Sequence, residues 1–439
     1  MKERLCLNIP CKSGNFSDKS FIGKNKRKKG NLIMVNIAIL GYGTVGSGVV
    51  EVIQTNYDSI QKKAGQGICI KYILDLRDFP NDPMQEKIVH DYDIILNDKE
   101  INIIVEVMGG LDLAYRFVKA ALEQGKSVVT SNKELVAKYG SELIALAKAK
   151  NSNFLFEASV GGGIPIIRPL NQSLTADEIC EIIGILNGTT NYILTKMKQD
   201  GSEFADALKE AQELGFAERD PSADIEGYDA CRKIAILSSL AYGGQVDYED
   251  IYTEGISQIT RNDIWFTQKF GYEIKLLASS KKIDGKIYVS VAPALITEKN
   301  PLYSVFGVFN GIFVKGNVLG DVMFYGSGAG KLPTASAVVS DIVDEIKHLH
   351  TNIMTSWASK KIELGEISES KKKFFVRIEG KIKDRLEEIE RIFGIVNAIE
   401  IEEIENEFAF ITPILTEKEF IQKKERLSGI CNRIRVESE

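Results

Sequence analysis

Val35–Leu40 reads VNIAIL and runs directly into Gly41-Tyr42-Gly43-Thr44-Val45-Gly46. A short, wholly apolar run that ends on glycine marks a parallel strand buried on both faces. Residues 45–53 continue with helical character. The pattern is therefore GxGxxG set between a strand and a helix. The first glycine permits the tight turn, the second lets backbone approach a pyrophosphate, and the third lets the helix pack on the strand. The helix start adds unpaired N–H groups and a positive dipole end for the phosphates. Gly41, Gly43, Thr44, Val45 and Gly46 are thus expected to hold a dinucleotide.

Outward from this stretch, strand-like runs recur at 68–74, 101–107, 127–130 and 153–157, with helix-like segments at 112–124 and 133–150. Alternation at this spacing predicts an α/β fold, a Rossmann-type doubly wound parallel sheet over residues 35–155. The second strand ends at Asp75-Leu76-Arg77-Asp78. An acid there suits a ribose 2′-hydroxyl and Arg77 suits a 2′-phosphate, so NAD and NADP both stay open. Gly161–Gly163 breaks the pattern. Residues 156–330 read as a second, α+β domain, with helices at 191–198, 203–214 and 229–242 and strands at 182–186, 274–279, 287–295 and 312–318. Residues 331–350 read as a helix packing back on the first domain, and 351–372 as a charged linker. The stretch 373–439 gives strand, helix, two strands, helix, strand, the βαββαβ order of a ferredoxin-like domain.

Composition narrows the classes. Of 439 residues, 44% are hydrophobic and 26% charged, which is ordinary for a globular protein. The net charge of −6 conceals +7 over residues 1–34 and −13 over the rest. An acidic body does not fit a nucleic-acid partner. No apolar run reaches the ~18–20 residues of a membrane span. Residues 1–34 are expected to be a disordered basic extension. Three readings stand for it: sequence upstream of a natural start at Met34, a basic arm, or a presequence. The six cysteines form no CxxC pair, which fits free thiols in a reducing, cytoplasmic setting. Three histidines, two of them at i, i+2, argue against a histidine-based triad or metal site.

Chemistry concentrates in Ala211–Lys233, AQELGFAERDPSADIEGYDACRK. Glu218, Asp220, Asp224, Glu226 and Asp229 crowd around Pro221 and Gly227. Asp229 and Lys233 stand at i, i+4 on the following helix and can face one pocket. A lysine held beside carboxylates can hand a proton to an oxygen during hydride transfer. A surface ion pair is the plain alternative.

Ala211, Gly215, Pro221, Asp224, Gly227, Asp229 and Lys233 fall at the spacing of the homoserine dehydrogenase signature. Four further blocks occur in that family's order: Ser131-Asn132-Lys133-Glu134, Glu157–Pro165, Asn187–Tyr192, and Gly328-Ala329-Gly330 followed by Pro333–Ser336. Residues 35–350 thus resemble homoserine dehydrogenases. The resemblance implies interconversion of L-aspartate 4-semialdehyde and L-homoserine with NAD or NADP, within threonine and methionine biosynthesis. It implies that Lys233 exchanges the proton at the substrate oxygen, that Lys133, a second catalytic lysine near substrate and nicotinamide, shares or takes that role, and that Asp229 holds the lysine or the substrate's amino group. Glu218, Asp224, Gly188 and Thr189 would take the substrate, while Arg77, Ser131, Lys133 and Gly328 would join the cofactor contacts. A structural Na+ or K+ would fall on Glu157, Val160, Gly162 and Ile164. Residues 156–330 would also dimerise, giving a homodimer or homotetramer. The tail resembles an ACT domain, but the Pro-Gly expected in its first turn is absent from Lys381–Glu387. Rival readings are a catalytically inactive nucleotide sensor of the same fold, and a thioester-forming semialdehyde dehydrogenase, which would need a catalytic cysteine.

Overall fold

The structure, a computed structural model, describes residues 34–353 and 357–437. All of the expected basic extension except Met34 lies outside them. The described chain forms two compact units: residues 34–135, 142–158 and 334–353, and residues 136–141, 159–333 and 357–437.

The first unit is built on strands β1 (Met34–Leu40), β2 (Gly67–Leu74), β3 (Ile88–Val89), β4 (Ile101–Glu106), β5 (Ser127–Thr130) and β6 (Phe154–Leu155). Their order is β3-β2-β1-β4-β5-β6 and every pairing is parallel. Strand order reverses between β1 and β4, so the crevice at their carboxyl ends is where such a sheet receives a ligand. The apolar stripe of the Lys331–Lys347 helix explains its place. Val338, Ile342 and Ile346 are buried in one cluster with Ile37, Ile39 and Ile70 of the sheet. The strand expected over 153–157 shortens to two residues. Asn153 turns its amide to Glu345 Oε2 (2.7 Å) and the Thr351 carbonyl (2.9 Å), and Glu157 begins a 3-10 turn whose N–H donates to Asp341.

The second unit contributes β7 (Ile179–Ile185), β8 (Gly244–Gln245), β9 (Tyr252–Thr253), β10 (Glu273–Ile283), β11 (Lys286–Ile296), β12 (Phe309–Gly316), β13 (Gly320–Ser327) and β14 (Ala358–Lys361). The tail adds β15 (Lys371–Glu379), β16 (Asn397–Glu400), β17 (Glu407–Ile411), β18 (Leu415–Thr416) and β19 (Ile430–Val436). One sheet runs β13-β12-β7-β10-β11-β19-β15-β17-β16, with β9 attached to β11 and β18 to β15. β10 and β11 form a hairpin of eleven residue pairs closed by Asp284 and Gly285, both at positive φ (50° and 82°). That is the two-residue turn that matches strand twist. Within the tail, the order β19-β15-β17-β16 and the helices Ile382–Phe393 and Glu417–Lys424 realise the ferredoxin-like plan around Phe374, Phe393, Phe408, Phe410 and Phe420.

Three expectations are corrected. The tail is not a separate sheet: β19 pairs in parallel with β11 through Ala294–Arg435 and Leu295–Val436 while also pairing with β15. The segment 351–372 is not a plain linker. Trp357 is buried, its indole N–H donates to Gln245 Oε1 at 3.0 Å, and β14 pairs with β8. Its charged residues face outward, so charge density misled where one tryptophan anchors the strap. Cys180, Cys231 and Cys431 are free thiols, as expected, but Cys69 is disulfide-bonded. No helix among the described residues is long and apolar enough to cross a membrane.

Candidate active site

The nucleotide unit shows the cradle that the glycine motif predicts. Gly41 N donates to the Leu74 carbonyl (2.8 Å), which ties the turn to the end of β2. A Cβ on Gly46 would overlap the carbonyl oxygen of Gly41, so only glycine lets the helix pack this close. Gly43 is exposed, and a Cβ there would meet nothing within 4 Å, which leaves room for a pyrophosphate. Thr44 opens the helix Thr44–Thr55, with Val45 half-buried beside it. A cavity of about 310 Å³ lies alongside, lined by Gly41, Gly43, Asp75, Arg77, Met108 and Phe117 among others. These residues fit a dinucleotide.

Asp75 stands just past β2 and accepts from the Tyr42 N–H (2.9 Å). Arg77 folds back on it with Nε and Nη2 each at 3.0 Å. The Arg77 hydrogen bonds outweigh burial and hold the Asp75 carboxyl well below the usual carboxylate range. Behind the cradle, fully buried Glu106 accepts from Met108 N (2.9 Å) and Thr130 Oγ1 (2.5 Å). Thr130 Oγ1 in turn accepts from Asn132 N (2.9 Å), and Asn132 Oδ1 caps the helix that Lys133 begins. Ser131 N reaches the Glu106 carbonyl at 3.3 Å. The helix start at Lys133 is therefore positioned from below by the Glu106 carboxyl, and Ser131 by the backbone carbonyl of the same residue.

In the second unit the acidic stretch folds as a turn, a short helix Ser222–Ile225, and the helix Tyr228–Tyr242. Lys233 Nζ donates to Asp229 Oδ2 (2.7 Å) and to the Leu186 carbonyl at the end of β7 (2.8 Å). Asn187 joins the carboxylates: its Nδ2 donates to Asp224 Oδ1 (2.7 Å) and Asp229 Oδ2 (2.9 Å). Its Oδ1 accepts from Thr190 N and so caps the helix Gly188–Asp200. Asp229 is buried and the Lys233 side chain is only 12% exposed, so this is not a surface ion pair. Gly188 sits where a Cβ would stand 2.7 Å from the Val308 carbonyl. Thr189 spends its hydroxyl on the Phe216 carbonyl (2.7 Å) and so fastens the loop that leads to Glu218.

The chain thus brings Lys233, Asp229 and Asp224 together, with Gly188 and Thr189 at the adjoining helix start. Glu218 is exposed and lies outside this hydrogen-bonded group. Gly328, buried after β13, backs onto Gly162, where a Cβ would meet the Gly328 carbonyl carbon at 2.6 Å. Val160, Gly162 and Ile164 lie on one loop of the second unit; Glu157 belongs to the first. Asn187 is the member that sequence reading left out of the site. Its signal, an Asn directly before a helix, was hidden because the helix begins at Gly188, three residues ahead of the expected start at 191. Cys231 donates to the Tyr248 carbonyl, and burial pushes its thiol pKa up, which is the wrong direction for a thioester nucleophile.

Comparison with known proteins agrees with this geometry. The family model for homoserine dehydrogenase matches residues 165–343, and that for the homoserine dehydrogenase NAD-binding domain matches 41–157. A Bacillus subtilis homoserine dehydrogenase is 45% identical over 326 residues, 73% of this chain and 74% of that protein. One from Helicobacter pylori is 42% identical over 78% of this chain and 81% of its own length. The crystal structure of a homoserine dehydrogenase from Thiobacillus denitrificans superposes with a TM-score of 0.85 at 37% identity, covering 93% of this chain and 99% of that one. A hyperthermophilic archaeal homoserine dehydrogenase in complex with NADPH gives 0.61 at 34% identity over 71% of this chain and 98% of that one. With both halves of the enzyme matched in sequence and the fold matched in three dimensions, the chain belongs to the homoserine dehydrogenase family.

Proposed function

We propose that this protein is an active NAD(P)-dependent oxidoreductase that interconverts L-aspartate 4-semialdehyde and L-homoserine. The observation that carries the reading is Lys233 held by Asp229 and the Leu186 carbonyl. An ammonium has three donors. Two are spent on protein, which fixes the group and leaves one N–H for the substrate oxygen. Bound dinucleotide supplies the hydride. Charge that develops on the substrate oxygen as hydride arrives is then met by a fixed ammonium. Asp224 and Asp229, bridged by Asn187, put more negative than positive charge in the cluster and so attract the substrate's α-ammonium. Lys133 is assigned to the nucleotide unit's share of the reaction and Gly328 to cofactor contact.

The coenzyme is NAD or NADP. Asp75 and Arg77 are the residues assigned to discriminate between them. Na+ or K+ held by Glu157, Val160, Gly162 and Ile164 is proposed as structural, and activity in potassium, sodium and Tris buffers tests it. Homodimer or homotetramer assembly and a threonine response of the ACT-like tail are proposed on the family resemblance. Light scattering, and assays with added threonine, address them. The decisive experiment follows NADH and NADPH oxidation with aspartate semialdehyde in the full-length protein and in Lys233→Met. Turnover in the former, with loss in the latter at unchanged coenzyme binding, is expected. Absence of turnover with both coenzymes in the unaltered protein would overturn the proposal and favour the inactive-sensor reading instead.

A further inference from the structure

We infer that Glu254 is a positioning residue for the Asp224–Asp229–Lys233 group, and that Arg433 and Arg435 of the tail's β19 hold it in place. The inference rests on the assignment of that group as the reactive one. Glu254 follows β9 and is tied to β11 by its own N–H, which donates to the Val291 carbonyl at 2.8 Å. Its Oε2 accepts from Arg435 Nη1 (2.7 Å) and the Tyr252 hydroxyl (2.8 Å), and Arg433 Nη1 stands 3.1 Å away as an ion pair without hydrogen-bond geometry. Arg435 is itself gripped by Glu417 through Nε (3.0 Å) and Nη2 (2.7 Å), and its guanidinium stacks 4.8 Å from the centre of the Tyr252 ring. Burial opposes ionisation of Glu254, but Arg435 and Arg433 outweigh it and hold its carboxyl below the usual range.

The other side of Glu254 leads to the site. Ile256 N donates to the Ile225 carbonyl at 2.8 Å. A Cβ on Gly255 would overlap that same carbonyl and stand 2.5 Å from Glu226 Cα. A Cβ on Gly227 would meet Thr253 Cγ2 at 3.1 Å and Val291 Cγ1 at 3.2 Å. Residues 253–256 therefore lie flush against 225–227, the turn that separates Asp224 from Asp229. At Gly255 backbone packs directly on backbone, and at Gly227 the short side chains of Thr253 and Val291 fill the remaining space. Displacement of Glu254 is passed to the carboxylates that hold Lys233, and small misplacements at a reacting group are costly in rate.

The test uses full-length enzyme carrying Glu254→Gln and, separately, Arg433→Gln, which leaves Arg435 with Glu417. The expected result is a fall in kcat of about tenfold or more for Glu254→Gln, and a smaller fall for Arg433→Gln. Coenzyme dissociation constants are unchanged in both, and Glu254→Asp regains part of the loss. A merely structural clasp would instead lower the melting temperature and leave kcat of the folded protein alone; kcat within twofold of the unaltered enzyme in both folded variants overturns the inference. Lys233→Met is assayed beside them. Normal turnover in Lys233→Met would instead indict the assignment of the reactive group, so the two failures are distinguishable.

Discussion

Replacing Glu106 with glutamine removes one ionisation from beneath the dinucleotide cradle while keeping the shape of the side chain. Glu106 is fully buried, and desolvation outweighs its three hydrogen bonds to push the carboxyl up from 4.5 to about 7. Below pH 4.5 the group is protonated both in the folded and in the unfolded chain. Between 4.5 and 7 the unfolded chain ionises while the folded one keeps its proton, so stability falls as pH rises. Each pH unit across that window costs about 1.4 kcal/mol, and the whole span about 3 kcal/mol. Above pH 7 the penalty persists in full. Glu345, also pushed up to about 7 by burial, adds a term of the same sign in the same unit. Urea unfolding of the full-length protein at pH 5 and pH 8 measures the effect. Glu106→Gln is expected to flatten the loss of stability between those pH values by about 2–3 kcal/mol. Equal slopes in the unaltered and variant proteins would refute the account, because they would mean that Glu106 ionises as easily folded as unfolded. The same variant keeps the acceptor for Met108 N, so coenzyme KM should change little at pH 8.

Further outcomes follow from geometry. Gly46→Ala forces a Cβ into the Gly41 carbonyl, and should raise coenzyme KM by about tenfold or more and destabilise the unit by about 1–3 kcal/mol; an unaltered KM would show that the turn can give. Asp75→Ala removes the acceptor suited to a ribose 2′-hydroxyl and releases Arg77, so the NADPH-to-NADH ratio of kcat/KM should rise by about tenfold; a constant ratio would place coenzyme choice elsewhere. Trp357→Ala empties the space above Gly140 and removes the bond to Gln245, which should cost about 3–5 kcal/mol in guanidinium unfolding. A loss below about 1 kcal/mol would return the segment to the status of a linker.

Local signals were legible in the sequence and distant ones were not. The strand–glycine–helix stretch at 35–53 carries its reading in contiguous residues, and β1 and the helix after it form there. The Asp229–Lys233 pair was legible because four residues is one helical turn. By contrast β13 was missed. It is an edge strand whose exposed positions include Met323 and Tyr325, so its apolar and polar residues do not alternate as in a half-buried strand. The Arg261–Lys269 helix was also missed, since its sequence is polar; only the Thr260–Asp263 capping box announces it. Glu254 had no local signal at all, because its partner Arg435 lies 181 positions away.

The double pairing of β19 bears on how this protein can be recombined. A designer who exchanges the tail for another module would naturally cut at the charged segment before β15. That cut takes β19 away with the tail, and with it the outer neighbour of β11, both arginines on Glu254, and Glu437, whose carboxylate pairs with Lys281 of β10. A graft that exchanges β15 to β18 and the two helices, but retains residues 430–437, keeps the outer pairing of β11. The structural seam and the sequence boundary are different places, and chimeras built on each should differ accordingly in soluble yield.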